Sequence, residues 1–391
     1  MTSLNNVSVV LPTKDFLEST KRVLNSLSTQ SVIPDEVVVI DSSIEDEIQS
    51  LISKFNKNLK IKYLRVDGLF PGEARNLGAK NASNEILAFL DSKTVPSKYW
   101  IEDALKKLHH TDLHVIFGST KYEAKSYFQT ILQACVFGRK PVETTPGSLI
   151  YKNKFFESGG FIEGVRASDD LNWRKIIKDL NFKSSIADKS NLTYNQISLT
   201  LQSELKRQFI YQFYSALTEV QLNTKIFIFG VVVLLISLII PHWNAVVGNE
   251  SSIFYIPYIT RGFFYLFSLF SLIILTSSKF IKFKNILTKI IAAIFIIYVF
   301  FIVNQWNAVI ADWADDSFLY IPHITKGYVI SITVFCFLFR GVYKPINGGF
   351  QFSELFPFHW ISFGIVGLIL DIAKLPGYFF GAILALVRIF K

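Results

Sequence analysis

Cysteine is nearly absent from this chain. The two present, Cys135 and Cys336, stand far apart in unrelated contexts, which excludes a disulfide framework and a thiolate zinc site and suits a reducing compartment. No G-x-G-x-x-G fingerprint and no Walker A loop follows any apolar run, so the pattern argues against a dinucleotide dehydrogenase and a P-loop NTPase. No secretory leader is expected either, since Met1–Asn6 is polar and Val7–Leu11 is too short for an apolar leader core and ends in Pro-Thr. The first domain is therefore expected to be cytoplasmic. Charged residues make up only 18% of the 391 positions while 50% are hydrophobic, which is too apolar for a soluble protein of this size.

The apolar excess is uneven. Up to about Leu222 charged and apolar segments alternate as in a globular α/β domain, whereas from Ile226 onward Phe, Ile, Leu and Val dominate. This predicts a soluble domain followed by a membrane domain. The net charge is +9, but the lysines are scattered through the first domain and cluster beside the apolar spans, so anionic membrane lipid is the expected partner rather than nucleic acid.

Within the first domain, Val7–Leu11, Glu36–Ile40, Ile61–Val66, Ile86–Leu90 and Val115–Phe117 are short Val- and Ile-rich runs separated by helix-length segments. The pattern predicts a parallel sheet buried on both faces, and such sheets bind ligands beyond the carboxyl ends of their strands. Those ends carry Pro12-Thr13, Asp41-Ser42-Ser43 and Asp91-Ser92-Lys93. A carboxylate placed there accepts hydrogen bonds from a ribose or base edge, coordinates a divalent ion on a diphosphate, or merely caps the next helix.

The segments SVVLPT, VVVIDSS, ARNLG, LAFLDSKTVP, GSLIYKN, ESGGF and ASDDLNWRK follow one another between Val7 and Tyr194 in the order and approximate spacing of a family 2 glycosyltransferase, and this part of the chain resembles that family. The resemblance implies a GT-A fold, a Rossmann-like α/β nucleotide-sugar-binding domain. It also implies that Pro12, Thr13 and Asp41 hold the nucleotide base and ribose, that Arg75 lies near the diphosphate, and that Asp91 opens the D-x-D element. Asp169 and Asp170 stand at the family's acidic pair, with Asp170 at the general-base position and Asp169 supporting it, since adjacent helix residues do not share a face. Their plainer reading is first-turn helix acids beside the macrodipole, with Ser168 as cap.

Lys93 departs from the family pattern. The last Asp of D-x-D normally ligates Mg²⁺ or Mn²⁺, and an ammonium there repels such an ion. Three readings stay open: Lys93 itself supplies the charge beside the diphosphate, a metal binds through Asp91 and the diphosphate, or the domain binds without catalysing.

The second half reads as an all-α multi-pass membrane domain. Four apolar runs, Ile226–Ile240, Gly262–Ser278, Ile286–Val303 and Gly327–Phe339, are arranged as a repeat. Trp243-Asn-Ala-Val with Tyr255-Ile-Pro-Tyr-Ile-Thr-Arg-Gly recurs as Trp306-Asn-Ala-Val with Tyr320-Ile-Pro-His-Ile-Thr-Lys-Gly. The loop between the copies carries Lys279, Lys282, Lys284 and Lys289, and the loops within them carry Glu250, Asp312, Asp315 and Asp316, which places the basic loop and the first domain on the cytoplasmic face of the cell membrane.

The expected organisation is a transferase domain over residues 1–200, an amphipathic interfacial linker helix over 201–224, the four spans over 225–343, and interfacial or re-entrant helices over 344–391 broken by Asp371, Lys374 and Pro376, with a fifth and sixth span as the alternative there. The expected activity is inverting transfer from a nucleotide-diphospho-sugar to a polyprenyl-linked or other lipid acceptor. The Q-x-x-R-W acceptor motif of processive synthases is absent after Asp170. The other class in view is a non-catalytic nucleotide-binding membrane scaffold or a partner subunit of another transferase.

Overall fold

A computed structural model of the chain describes residues 6–220 and 334–389, apart from 56, 57, 111, 189, 190 and 219, together with isolated positions between 251 and 294. Residues Met1–Val220 and Phe337–Lys391 form one compact unit and Gln221–Cys336 a second. The four expected spans and their hairpin repeat fall almost wholly outside the described residues.

In chain order the first unit runs β1 (Val7–Thr13), α1 (Leu17–Ser28), β2 (Glu36–Asp41), α2 (Glu47–Phe55), β3 (Ile61–Arg65), α3 (Pro71–Asn81), β4 (Ile86–Phe89) and β5 (Thr94–Pro96). It continues with α4 (Trp100–His110), β6 (Val115–Tyr122), α5 (Tyr127–Leu132), β7 (Val142–Tyr151), α6 (Lys152–Glu157), α7 (Asp169–Asp179), β8 (Ser184–Ile186), β9 (Leu192–Tyr194) and α8 (Leu201–Ala216). The last long helix is α9 (His359–Ile389).

The strands form one sheet in the order β3-β2-β1-β4-β7-β6-β9-β5, with β8 beside β6. β3, β2, β1 and β4 are parallel. Alternation along them explains the continuous apolar runs: Val7, Val9 and Leu11 face one core with α1, α2 and α4, whereas Val10, Val38 and Ile40 face the other with α3 and α7. Both faces of β1 and β2 are covered, and the polar residues there, such as Ser8 and Glu36, are buried and bonded to each other.

The sheet is mixed, which corrects the expectation of a wholly parallel one. β7 inserts antiparallel between β4 and β6, so the run at Val115–Phe117 does not neighbour β4. β7 is buried at nearly every position and so offers no alternation to reveal it. The β6–β7 register shifts between Ile116 and Gly118, where a β-carbon on Gly118 would strike the Pro146 carbonyl.

The C-terminal segment also differs from the expected broken helices. α9 is continuous through Pro376, and its His359–Ala385 part is the one helix among the described residues long and apolar enough to cross a membrane. It does not stand apart from the first unit. Gly377 and Gly381, spaced four apart, let its backbone approach the carbonyls of Phe209 and Phe213 on α8 so closely that a β-carbon would collide with either. α8 is thus held along α9, and its inward face is polar: Glu204, Gln208, Gln212 and Ser215 are buried.

Replacing Gly381 should therefore separate the two helices. We expect Gly381→Leu to cost about 1–3 kcal/mol by overpacking, read as a lowered thermal midpoint of the full chain and faster proteolysis within Leu201–Ala216.

Candidate active site

α3 delivers Arg75 to the carboxyl edge of the sheet. Pro71 occupies its first turn, the Glu73 carboxylate accepts from the Phe70 N–H at 2.8 Å, and Gly78 sits so close to Val10 that no side chain fits between helix and strand. The helix is therefore fixed tightly over β1.

From that seat the Arg75 guanidinium donates to two carboxylates. One nitrogen reaches Asp91 at the end of β4 at 2.5 Å, and the other binds Asp169 in the first turn of α7. Arg75 and Asp169 are buried, Asp91 is partly exposed, and the Phe161 ring lies 5.2 Å from the guanidinium carbon. Burial works against the Arg75 charge, but Asp91 and Asp169, with Asp170 nearby, outweigh it and hold the guanidinium protonated. For Asp169 burial dominates and pushes its carboxyl up to about 6, Arg75 opposing the shift and Asp170 and Asp91 adding to it.

Asp170 follows on α7 and is half-buried. Its backbone carbonyl accepts from the Thr145 hydroxyl at 3.2 Å, and its charge is felt by Arg75, Asp169 and Tyr122. Ser168, the expected cap, makes no side-chain capping bond and is left-handed at φ 70°. Both acids sit in the first turn of α7, and Asp169 is in addition paired to Arg75.

The base-side residues lie at the ends of β1 and β2. Asp41 is fully buried, its Oδ1 accepting from Ser43 N–H at 2.9 Å and Ser43 Oγ at 2.6 Å and its Oδ2 from Tyr63 OH at 2.8 Å. Thr13 is buried and shares a hydrogen bond with Thr20 Oγ1 at 2.7 Å, and Pro12 is half-buried beside it. Arg75, Asp91 and Asp169 come together with Asp170 adjacent; Asp41 stands apart from that group in its own network.

Lys93 lies in the turn after Asp91, with its Nζ 3.8 Å from the centre of the Phe16 ring. Burial lowers its pKa, the Arg207 charge lowers it further, and Asp91 partly restores it. A divalent ion is the group the resemblance implies, and the donor set can be judged on its chemistry. The Asp91 carboxylate is already paired to Arg75 with an ammonium two residues on, and among the described residues no group of three or more carboxylates, histidines or cysteines gathers to hold a metal. Asp91, shared with Arg75, is therefore the carboxylate that this element offers to a divalent cation.

Several participants have a role that the sequence does not show, even where a motif contains them. Asn76, next to Arg75, clamps the Gly159-Gly160-Phe161 loop: its amide donates to Phe161 O at 2.8 Å and its carbonyl accepts from Phe161 N–H at 2.9 Å. Glu73 ties the same loop through the Gly164 N–H at 2.9 Å. Arg207 on α8 reads in sequence only as a cation of an interfacial helix; its place over Phe137 and beside Tyr211 depends on folding.

The family described as Glycosyl transferase family 2 matches residues 8–169. Among curated proteins, the chain is 28% identical to an uncharacterized glycosyltransferase of Rickettsia conorii over 42% of this chain and 28% of that protein. It is 26% identical to the poly(ribitol-phosphate) beta-N-acetylglucosaminyltransferase TarS of Staphylococcus aureus, over 47% of this chain and 34% of that protein. It is 23% identical to the glycosyltransferase AglE of Haloferax volcanii, over 46% and 64%. The match thus spans about a third or less of the first two relatives. A solved structure of S. aureus TarS residues 1–349 with UDP-GlcNAc aligns at 19% identity and TM-score 0.41, covering 55% of this chain and 66% of that one. The family match and the relatives' names support a glycosyltransferase.

Removing the guanidinium strands two carboxylates. Arg75→Ala should destabilise the first unit by about 3–5 kcal/mol and abolish turnover, whereas Asp169→Asn should cost less because it leaves the Asp91 pair intact; denaturant unfolding compares them. Turnover should also fall on the acid side as Asp169 takes up a proton near about 6 and releases its half of Arg75. A pH profile measures this, and the limb should be lost in Asp169→Asn.

Proposed function

We propose that this chain is a membrane-bound inverting glycosyltransferase that moves a sugar from a nucleotide-diphospho-sugar to a lipid-linked, polyprenyl-type acceptor. The observation that carries the reading is the Arg75 bridge between Asp91 and Asp169, which sets Asp170 at the carboxyl edge of a nucleotide-type sheet. Such an edge is where this architecture holds a donor.

In this reading Asp170 accepts the proton of the acceptor hydroxyl as that oxygen attacks the anomeric carbon. The bond from that carbon to the donor's diphosphate breaks on the opposite side, and the diphosphate leaves with the electron pair. Its new charge needs a cation, and Lys93 offers one beside Asp91. Transfer is accordingly metal-independent.

The acceptor is inferred from the surroundings. One relative is named for acting on poly(ribitol-phosphate). Here the outer side of α9 exposes Ile361, Ile365, Ile372, Phe379 and Ile383, which recur at helical spacing, and the apolar runs at 226–339 read as multiple membrane spans. A lipid-anchored acceptor would meet the cytoplasmic site at that surface.

The test is incubation of purified full chain with membrane lipid extract and a panel of radiolabelled sugar nucleotides. A labelled lipid should form in EDTA, fall about 10²–10⁴-fold in Asp170→Asn and about 10²–10³-fold in Lys93→Ala. Complete inhibition by chelator would sink the lysine reading. No turnover or hydrolysis of any donor, with Asp170→Asn still supporting the wild-type cellular phenotype, would replace the enzyme by a scaffold.

A further inference from the structure

Lys93 is linked to α8 through a chain of ring contacts. β5 begins one residue after Lys93 and pairs with β9 so that Thr94 faces Tyr194. The Tyr194 ring packs on Tyr122 at 5.1 Å, Tyr122 stacks on Phe137 at 4.4 Å, and the Arg207 guanidinium lies over Phe137 at 5.0 Å. A continuous wall of three aromatic rings therefore joins the strand after Lys93 to Arg207.

Arg207 is poorly satisfied for a guanidinium so enclosed. Its side chain is 16% exposed, and it pairs with the fully buried Glu204 at 2.5 Å. Its Nη2 is held by Glu204, while its Nε makes no hydrogen bond. A buried donor left unused is costly, and a planar guanidinium held from one side keeps N–H groups for a phosphate oxygen. The aromatic wall supplies no acceptor at the ring faces.

The local charge is also unbalanced. Lys93 feels two like charges, Arg207 and Arg166, against Asp91, whose carboxylate is already engaged by Arg75. Glu204 answers the Arg207 charge, and Asp91 is shared between Arg75 and Lys93, so an added anion beside Lys93 would be favoured.

We propose that Arg207 is a second cation for the donor's diphosphate, reaching it from α8 across the aromatic wall from Lys93, so that α8 is part of the nucleotide site. This rests on the nucleotide-sugar reading above and adds a binding residue to it. It also explains why α9 lies where it does, because the close approach of Gly377 and Gly381 to α8 holds Arg207 in place.

The test uses the full chain in detergent with EDTA and measures binding of UDP, GDP, CDP and dTDP by calorimetry, and of the matching nucleosides by saturation-transfer NMR. For the best diphosphate, Arg207→Gln should weaken binding at least tenfold and leave the nucleoside unchanged. Arg207→Lys, which keeps the charge without the fork, should fall between Arg207→Gln and wild type. Unchanged diphosphate affinity in Arg207→Gln overturns the proposal, and so does an equal loss of diphosphate and nucleoside, which marks a structural role. If wild type binds none of the four diphosphates, the nucleotide-sugar reading falls too, which separates the two failures.

Discussion

The site is organised by one guanidinium. Arg75 touches carboxylates 16 and 94 residues away, and through them it ties α3 to the end of β4 and the start of α7. Such a bridge is weak evidence for stability, because three charges must leave water to form it and their attraction roughly repays the cost. What it provides is direction. Each nitrogen of a rigid fork sets one carboxylate, so the Asp169–Asp170 step is oriented relative to the β4 edge rather than swinging on a helix end.

The surrounding packing keeps the fork dry and still. Phe89, Phe155, Phe161 and Trp173 form one aromatic cluster beneath it, with Phe161 against both Arg75 and Trp173. The loop carrying Phe161 is clamped from α3 by Asn76 and Glu73, and Gly160, at φ 71°, comes so near the Asn76 carbonyl that a β-carbon there would lie 2.7 Å from it. The ARN and GGF segments are thus two halves of one device, and separating them would release Arg75.

How much of this is legible in the sequence follows from the range of each interaction. Strands β1 to β4 and the edge residues Asp41 and Asp91 are legible because alternation and strand-end chemistry are local. The antiparallel insertion of β7 is not, since a strand buried on both faces looks alike in either direction. Asp41 reads as a ligand residue, but one of its three hydrogen bonds comes from Tyr63, 22 residues on, which no local pattern announces. The same limit hides Arg207: a cation among aromatics on a helix reads as interfacial until the fold places Phe137 beneath it.

α8 and α9 couple the site to the apolar surface. α9 meets α8 at Phe209, Phe213 and Ala216, where a glycine pair permits the close approach, while Glu204, Gln208 and Gln212 are buried on another side of α8. The opposite face of α9 is an apolar row that water penalises and a bilayer surface rewards. One helix thus has two incompatible sides, and satisfying both fixes its rotation. Turning α9 to hide its isoleucines would swing the glycines away from Phe209 and Phe213 and replace them with larger side chains, lifting α8 from its seat. The position of Arg207 beside the aromatic wall and the outward direction of the apolar row are therefore a single constraint, so whatever surface α9 lies against also bears on the geometry of the site.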